Sequence, residues 1–80
     1  MNVKVKYYGL LKDITGIGQE VLKLNKTESI EDIVQEKLIN KYPSIKNIDF
    51  RIAVNDEFCD LKHTLKENDE LSFLPLFSGG

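Results

Sequence analysis

From Val3 to Tyr8 apolar and charged residues alternate, the period of a half-buried strand, with Val3, Val5 and Tyr7 on the inward face. Leu10, Leu11 and Ile14 then fall at helical spacing, and Gly16 suits a left-handed stop, so Gly9 to Gly18 is a structured connection. Glu20 to Leu24 resumes an extended pattern with Leu22 and Leu24 on one face, which predicts a hairpin with the first strand. Ser29 is placed as a helix N-cap, and Glu31 and Asp32 favour the positive end that follows it. Ile30, Ile33, Val34 and Leu38 form one apolar stripe, while Glu31, Gln35, Glu36 and Lys37 point to water. Pro43 closes this helix, because the residue before a proline disfavours helical geometry.

After a polar crossing, Phe50 to Val54 reads as a third strand and Asn55-Asp56-Glu57 as a turn into a short fourth one at Phe58-Cys59. Thr64 to Glu70 is polar and contains a turn at Asn68-Asp69, and Leu71 to Leu74 is the last strand. One helix stripe laid across one face of a mixed sheet of four to five strands predicts a two-layer α+β domain spanning 1–80, with a flexible tail over 75–80. No internal repeat or linker interrupts it.

Eighty residues bury one core but leave little to enclose a deep cleft, so the expectation is a chain with no catalytic activity alone. A net charge of −2 with acidic and basic residues interspersed argues against a nucleic-acid footprint. The absence of a long apolar run or a leader-like start predicts a cytoplasmic protein with no membrane partner. The lone cysteine rules out an internal disulfide and offers a single thiolate to any metal, so no metal site is expected.

The ending Leu71-Ser72-Phe73-Leu74-Pro75-Leu76-Phe77-Ser78-Gly79-Gly80 resembles that of the molybdopterin synthase small subunits, within the MoaD/ThiS-like sulfur carriers of ubiquitin-like β-grasp fold. Tyr7-Tyr8-Gly9 followed by Leu11, Ile14 and Gly16, then Ala53-Val54-Asn55, then Leu65 with Asn68-Asp69-Glu70, match further landmarks, so the likeness covers nearly the whole chain. Leu76 and Phe77 depart from it, standing where the family has a second proline and a small aliphatic residue. Two terminal glycines arise by chance in roughly 0.5% of chains, whereas that family requires them.

The resemblance implies that the Gly80 carboxylate is the working group. A free carboxylate is a poor electrophile, so it is first adenylated by a MoeB-like, ATP-dependent enzyme of the ubiquitin-activating type. A sulfur donor system then converts the acyl-adenylate to a thiocarboxylate. That sulfur passes to a pterin precursor inside the MoaE-like large subunit of molybdopterin synthase. The chain itself binds no cofactor; the ATP belongs to the activating partner. Pro75, Leu76, Phe77, Ser78, Gly79 and Gly80 would insert into the partner, and glycine suits this because it lacks a Cβ. Two other acceptors remain open: a ThiS-like role in thiamin or another thiolation pathway, and a ubiquitin-like modifier joined through Gly80 to lysine.

Strand alternation adds a docking patch. If Val3, Val5 and Tyr7 face in, Tyr8 faces out, and if Leu71 and Phe73 face in, Leu74 faces out. A β-grasp runs its first and last strands side by side and parallel, which brings Tyr8 and Leu74 to the end where the tail leaves, with Phe58 joining them. Arg51 and the lysines of the first strand read as a solvated sheet face that an acidic partner surface would also suit. Cys59 beside Phe58 reads as a small packed side chain, and His63 as a surface residue in a charged loop.

Overall fold

The computed structural model describes residues 1–76. Strand β1 (Asn2–Tyr7) turns Val3, Val5 and Tyr7 into the core, all buried as the alternation predicts. Helix α1 (Leu10–Thr15) ends at Gly16, whose φ of 77° is left-handed and whose amide donates to the Lys12 carbonyl at 2.8 Å. Strand β2 (Gln19–Lys23) returns antiparallel to β1, pairing Leu22 with Val3 and Glu20 with Val5.

The main helix starts where its cap chemistry says it should: the Ser29 hydroxyl accepts from the Asp32 amide at 3.2 Å. It then runs through three geometries, α2 (Ile30–Ile33), a π-helical stretch (Val34–Leu38) and α3 (Ile39–Lys41). The Ile39 amide reaches back to the Val34 carbonyl, and the Asn40 side-chain amide bonds the Glu36 carbonyl at 2.8 Å. Ile30, Ile33, Val34 and Leu38 all stay buried through this widening. The crossing that follows is more ordered than its polar composition suggests, because Pro43–Asn47 forms a 3₁₀ turn that buries Ile45.

Strands β3 (Phe50–Val54) and β4 (Glu57–Cys59) form a hairpin whose two turn residues, Asn55 and Asp56, have φ of 51° and 69°. Left-handed angles at both central positions match the twist of a tight hairpin and suit short polar side chains. Strand β5 (Glu70–Pro75) follows Asn68, at φ 67°, and inserts between β1 and β3. The sheet order is β2-β1-β5-β3-β4; β5 is parallel to β1 and antiparallel to β3.

The helix covers one face of this sheet, and Val3, Val5, Ile30, Ile33, Leu38, Leu65, Leu71 and Phe73 are at most 1% exposed between them. Full burial of one such side chain stabilises by about 1.5–3 kcal/mol, which makes this layer the main support of the domain. The Ile30 and Glu31 amides are taken up by the His63 and Leu61 carbonyls at 2.9 and 2.8 Å, so the long loop before β5 is tied to the start of the helix. A mixed five-stranded sheet with one main helix on one face is the ubiquitin-like β-grasp, an α+β fold.

Candidate functional site

The two strands that lead to the predicted working end are locked together. Tyr7 of β1 lies beside Phe73 of β5 in register, and the Tyr8 amide donates to the Phe73 carbonyl at 3.2 Å. Because the pairing is parallel, the C-terminal ends of β1 and β5 leave the sheet at the same edge. Pro75, placed in the tail by the sequence pattern, is instead the last residue of β5 and pairs with Phe50. Proline is tolerated there because it closes the strand. Leu76 still donates its amide to the Asp49 carbonyl at 3.3 Å, with its side chain half exposed. Phe77, Ser78, Gly79 and Gly80, the rest of the tail named from the sequence, lie outside the described residues.

Gly9 abuts the start of this tail. Its φ is 56°, and a Cβ built on it would come within 2.9 Å of the Pro75 Cγ. Both the backbone angle and the space demand glycine, which lets β1 bend into α1 while Pro75 rests against the bend.

Tyr8 and Leu74 face outward as the alternation predicts, and Phe58 lies with them. They line one shallow hollow of about 160 Å³ with Ala53, Ser72 and Asp56. Tyr8 and Phe58 are 43% and 61% exposed, and Leu74 is half-buried between them. Ala53 and Ser72 also point outward by register, yet both are buried, because the larger side chains shade them. These two small residues form the floor, and sequence reasoning did not pick them out. Their signal was small side chains at the outward positions of two adjacent strands. Arg51 stacks on the Phe58 ring with its guanidinium carbon 4.0 Å from the centroid, and Lys6 pairs with Glu70 at 3.2 Å. The Glu70 carboxylate, by hydrogen bond and by charge, holds the Lys6 ammonium above its ordinary value.

A second cluster, also not singled out from the sequence, lies on the helix side of the same sheet end. The Glu20 carboxylate accepts from the Tyr7 hydroxyl at 2.6 Å, the Lys41 ammonium at 2.9 Å and the Tyr42 hydroxyl at 3.3 Å. Burial drives the Glu20 pKa up, but those three donors outweigh it and hold the carboxyl below its ordinary value. Burial, reinforced by the hydrogen bond to Glu20 and its charge, pushes the Tyr7 phenol far above the usual tyrosine range. Glu20 is in phase with Leu22 and Leu24 along β2, and that was the available signal that it turns inward.

The other tempting side chains fit packed or solvated roles. Cys59 packs against the core, and burial followed by the Asp60 carboxylate pushes its thiol up, away from the reactive thiolate. His63 is exposed and contributes its carbonyl to the helix start. No group of three His, Cys, Asp or Glu side chains among the described residues is placed to hold a metal ion. No helix among them is long and apolar enough to cross a membrane.

Known proteins resemble this chain in sequence and fold. A model of the ThiS family matches residues 5–80. The molybdopterin synthase sulfur carrier subunit of Chlamydomonas reinhardtii is 26% identical, with all of this chain and all of that protein covered. The solution structure of small archaeal modifier protein 1 from Methanosarcina acetivorans superposes with a TM-score of 0.80 at 27% identity, over 99% of this chain and 96% of that one. A chain in the complex of subunits 1 and 2 of the molybdopterin-converting factor from Helicobacter pylori superposes with a TM-score of 0.62 at 28% identity, over the whole of both chains. The protein thus belongs to the ThiS family, within the superfamily of β-grasp sulfur carriers and ubiquitin-like proteins.

Proposed function

We propose that this protein is a sulfur carrier whose Gly80 carboxylate is activated and thiocarboxylated by partner enzymes, and that its sulfur goes to a pterin precursor of the molybdenum cofactor. The observation that carries this reading is the parallel pairing of β5 with β1. It brings Leu76, four residues short of Gly80, out at the sheet edge that also holds the hollow of Tyr8, Phe58 and Leu74. A partner gripping that hollow has the chain end within reach: four extended residues span at most roughly 13–14 Å. The family match running through Gly80 supports the same end as the working group.

The chemistry divides between the chain and its partners. An adenylating enzyme joins the carboxylate to AMP and releases pyrophosphate from ATP. A sulfur donor displaces AMP, leaving a thiocarboxylate that the large subunit of molybdopterin synthase places against the pterin. This chain supplies the carbonyl carbon and the docking hollow. The Chlamydomonas relative, a molybdopterin synthase sulfur carrier subunit by name, favours the pterin as acceptor.

A second reading shares every step up to the adenylate. The likeness to small archaeal modifier protein 1 favours a modifier joined through Gly80 to lysines of other proteins. One experiment separates them: the full chain is incubated with an adenylating enzyme from its own organism, ATP and a sulfur source, and its intact mass is measured. A carrier gains the mass of sulfur minus oxygen at Gly80 and then converts the pterin precursor when the large subunit is added. Gly80-to-lysine conjugates without pterin conversion would establish the modifier instead, and an adduct on Cys59 would sink both.

A further inference from the structure

The two sides of β5 do not end at the same residue. Toward β3 the pairing runs on to Pro75 against Phe50, and the Leu76 amide adds a last bond to the Asp49 carbonyl at 3.3 Å. Toward β1 it stops earlier, at Phe73 beside Tyr7. The Tyr8 amide still donates to the Phe73 carbonyl at 3.2 Å, and a parallel ladder would next send the amide of residue 75 to the Tyr8 carbonyl. Proline has no such amide. The Tyr8 carbonyl instead accepts from the Leu11 amide at 3.1 Å, so the residue that ends the ladder also frees β1 to turn into α1.

The ring of this proline is held on more than one side. A Cβ on Gly9 would come within 2.9 Å of the Pro75 Cγ, so the ring lies directly against the bend after β1. Its own closure fixes the backbone φ, and the bond from Leu76 to Asp49 ties the next residue to β3. A proline that merely ended pairing would need neither a glycine packed against its ring nor a further ladder bond beyond it. Together these contacts set the backbone direction as far as Leu76, four residues before Gly80.

We propose that Pro75 is a positioning residue: held between Gly9 and the Leu76–Asp49 bond, it fixes the direction in which the chain leaves the sheet and so aims the Gly80 carboxylate at the reacting atoms of a bound adenylating enzyme. This rests on the reading of Gly80 as the activated group, which the carrier and the modifier share. Affinity comes from the hollow of Tyr8, Phe58 and Leu74, whereas the carboxylate has to be in place only when it reacts. Releasing Pro75 therefore slows the reaction at saturation and leaves binding alone.

The test measures ATP–pyrophosphate exchange by the adenylating enzyme of the same organism, with the full chain and its Pro75→Ala and Pro75→Gly variants as the substrate. Alanine supplies an amide that competes for the Tyr8 carbonyl and unlocks φ, and glycine frees the backbone further. The expected kcat falls about fivefold in Pro75→Ala and about tenfold in Pro75→Gly, with KM within about twofold of wild type in both. Amide chemical shifts of Ala53 and Phe58, hollow residues distant in sequence from position 75, are expected to match wild type. A kcat within about twofold of wild type in both variants, with wild type active, overturns this inference alone. A rise in KM that exceeds the fall in kcat makes Pro75 a partner contact and overturns it too, as does a shifted Ala53 or Phe58 amide, which makes Pro75 a support of the fold. A wild-type chain that elicits no exchange brings down the reading of Gly80 with it.

Discussion

Replacing Tyr7 by phenylalanine isolates one hydrogen bond at the sheet end from which the tail departs. The ring should keep its place: it stacks on Phe73 with centroids 6.0 Å apart and meets Tyr42 edge-on at 6.1 Å, and the residue is 2% exposed. No cavity opens, so the loss is the 2.6 Å bond from the hydroxyl to Glu20. That bond is made to a carboxylate whose side chain is only 13% exposed, leaving water little room to replace it. Hydrogen bonds to charged groups contribute about 1.5–3 kcal/mol, and the surviving contacts from Lys41 and Tyr42 place the expected loss near 2 kcal/mol at neutral pH.

The pH dependence separates this cause from a packing defect. Glu20 titrates below its ordinary value in the folded protein, so its contribution is fully present above about pH 4.5 and is lost as the pH falls through the folded pKa. Tyr7 titrates above its ordinary value of 10.0, so its contribution is present below that pH and fades above it, as the unfolded phenol ionises and the folded one does not. The gap between wild type and Tyr7→Phe should therefore be widest near neutrality and narrow toward both extremes. Urea unfolding followed by circular dichroism at a series of pH values measures it. A gap under about 0.5 kcal/mol at pH 7, or one that stays constant into acid, would refute the reasoning.

Three further outcomes follow from the site and the turns. Deleting Gly80 should leave the urea midpoint unchanged within about 0.5 kcal/mol and abolish thiocarboxylate formation, checked by intact mass; full activity in the shortened chain removes the mechanism. Leu74→Asp should cost about 1 kcal/mol or less, because Leu74 is only half-buried on the outer face, while weakening partner binding by about 2 kcal/mol or more if it anchors the hollow, as a calorimetric titration reads out. Asp56→Gly should raise the melting temperature by a few degrees, worth about 0.5–1 kcal/mol, because glycine takes the φ of 69° with no Cβ penalty; a lower melting temperature would show that the Asp56 side chain contributes more than its backbone angle costs.

What the sequence by itself determined is what depends on neighbours a few residues apart. The alternation of Val3, Val5 and Tyr7, the stripe of Ile30, Ile33, Val34 and Leu38, the Ser29 cap and the Gly16 stop are local devices, and each appears where its residues call for it. The outward facing of Tyr8 and Leu74 was legible for the same reason. Boundaries were softer: β5 runs on to Pro75 because Phe50 on the neighbouring strand is there to pair with it, and the polar crossing winds into a 3₁₀ turn because Ile45 has a core to enter.

Only the tertiary structure decided which distant residues meet. Ala53 and Ser72 become the floor of a hollow because β3 and β5 pair in one register, and a slip of one residue between the strands would put the two on opposite faces. Glu20, Tyr7, Lys41 and Tyr42 converge because the hairpin brings β2 beside β1 while the end of the main helix passes over both. Alternation tells which side of a strand a residue takes, but the residue that lies beside it is set by pairing between segments far apart in the chain, where packing of the whole core selects the register.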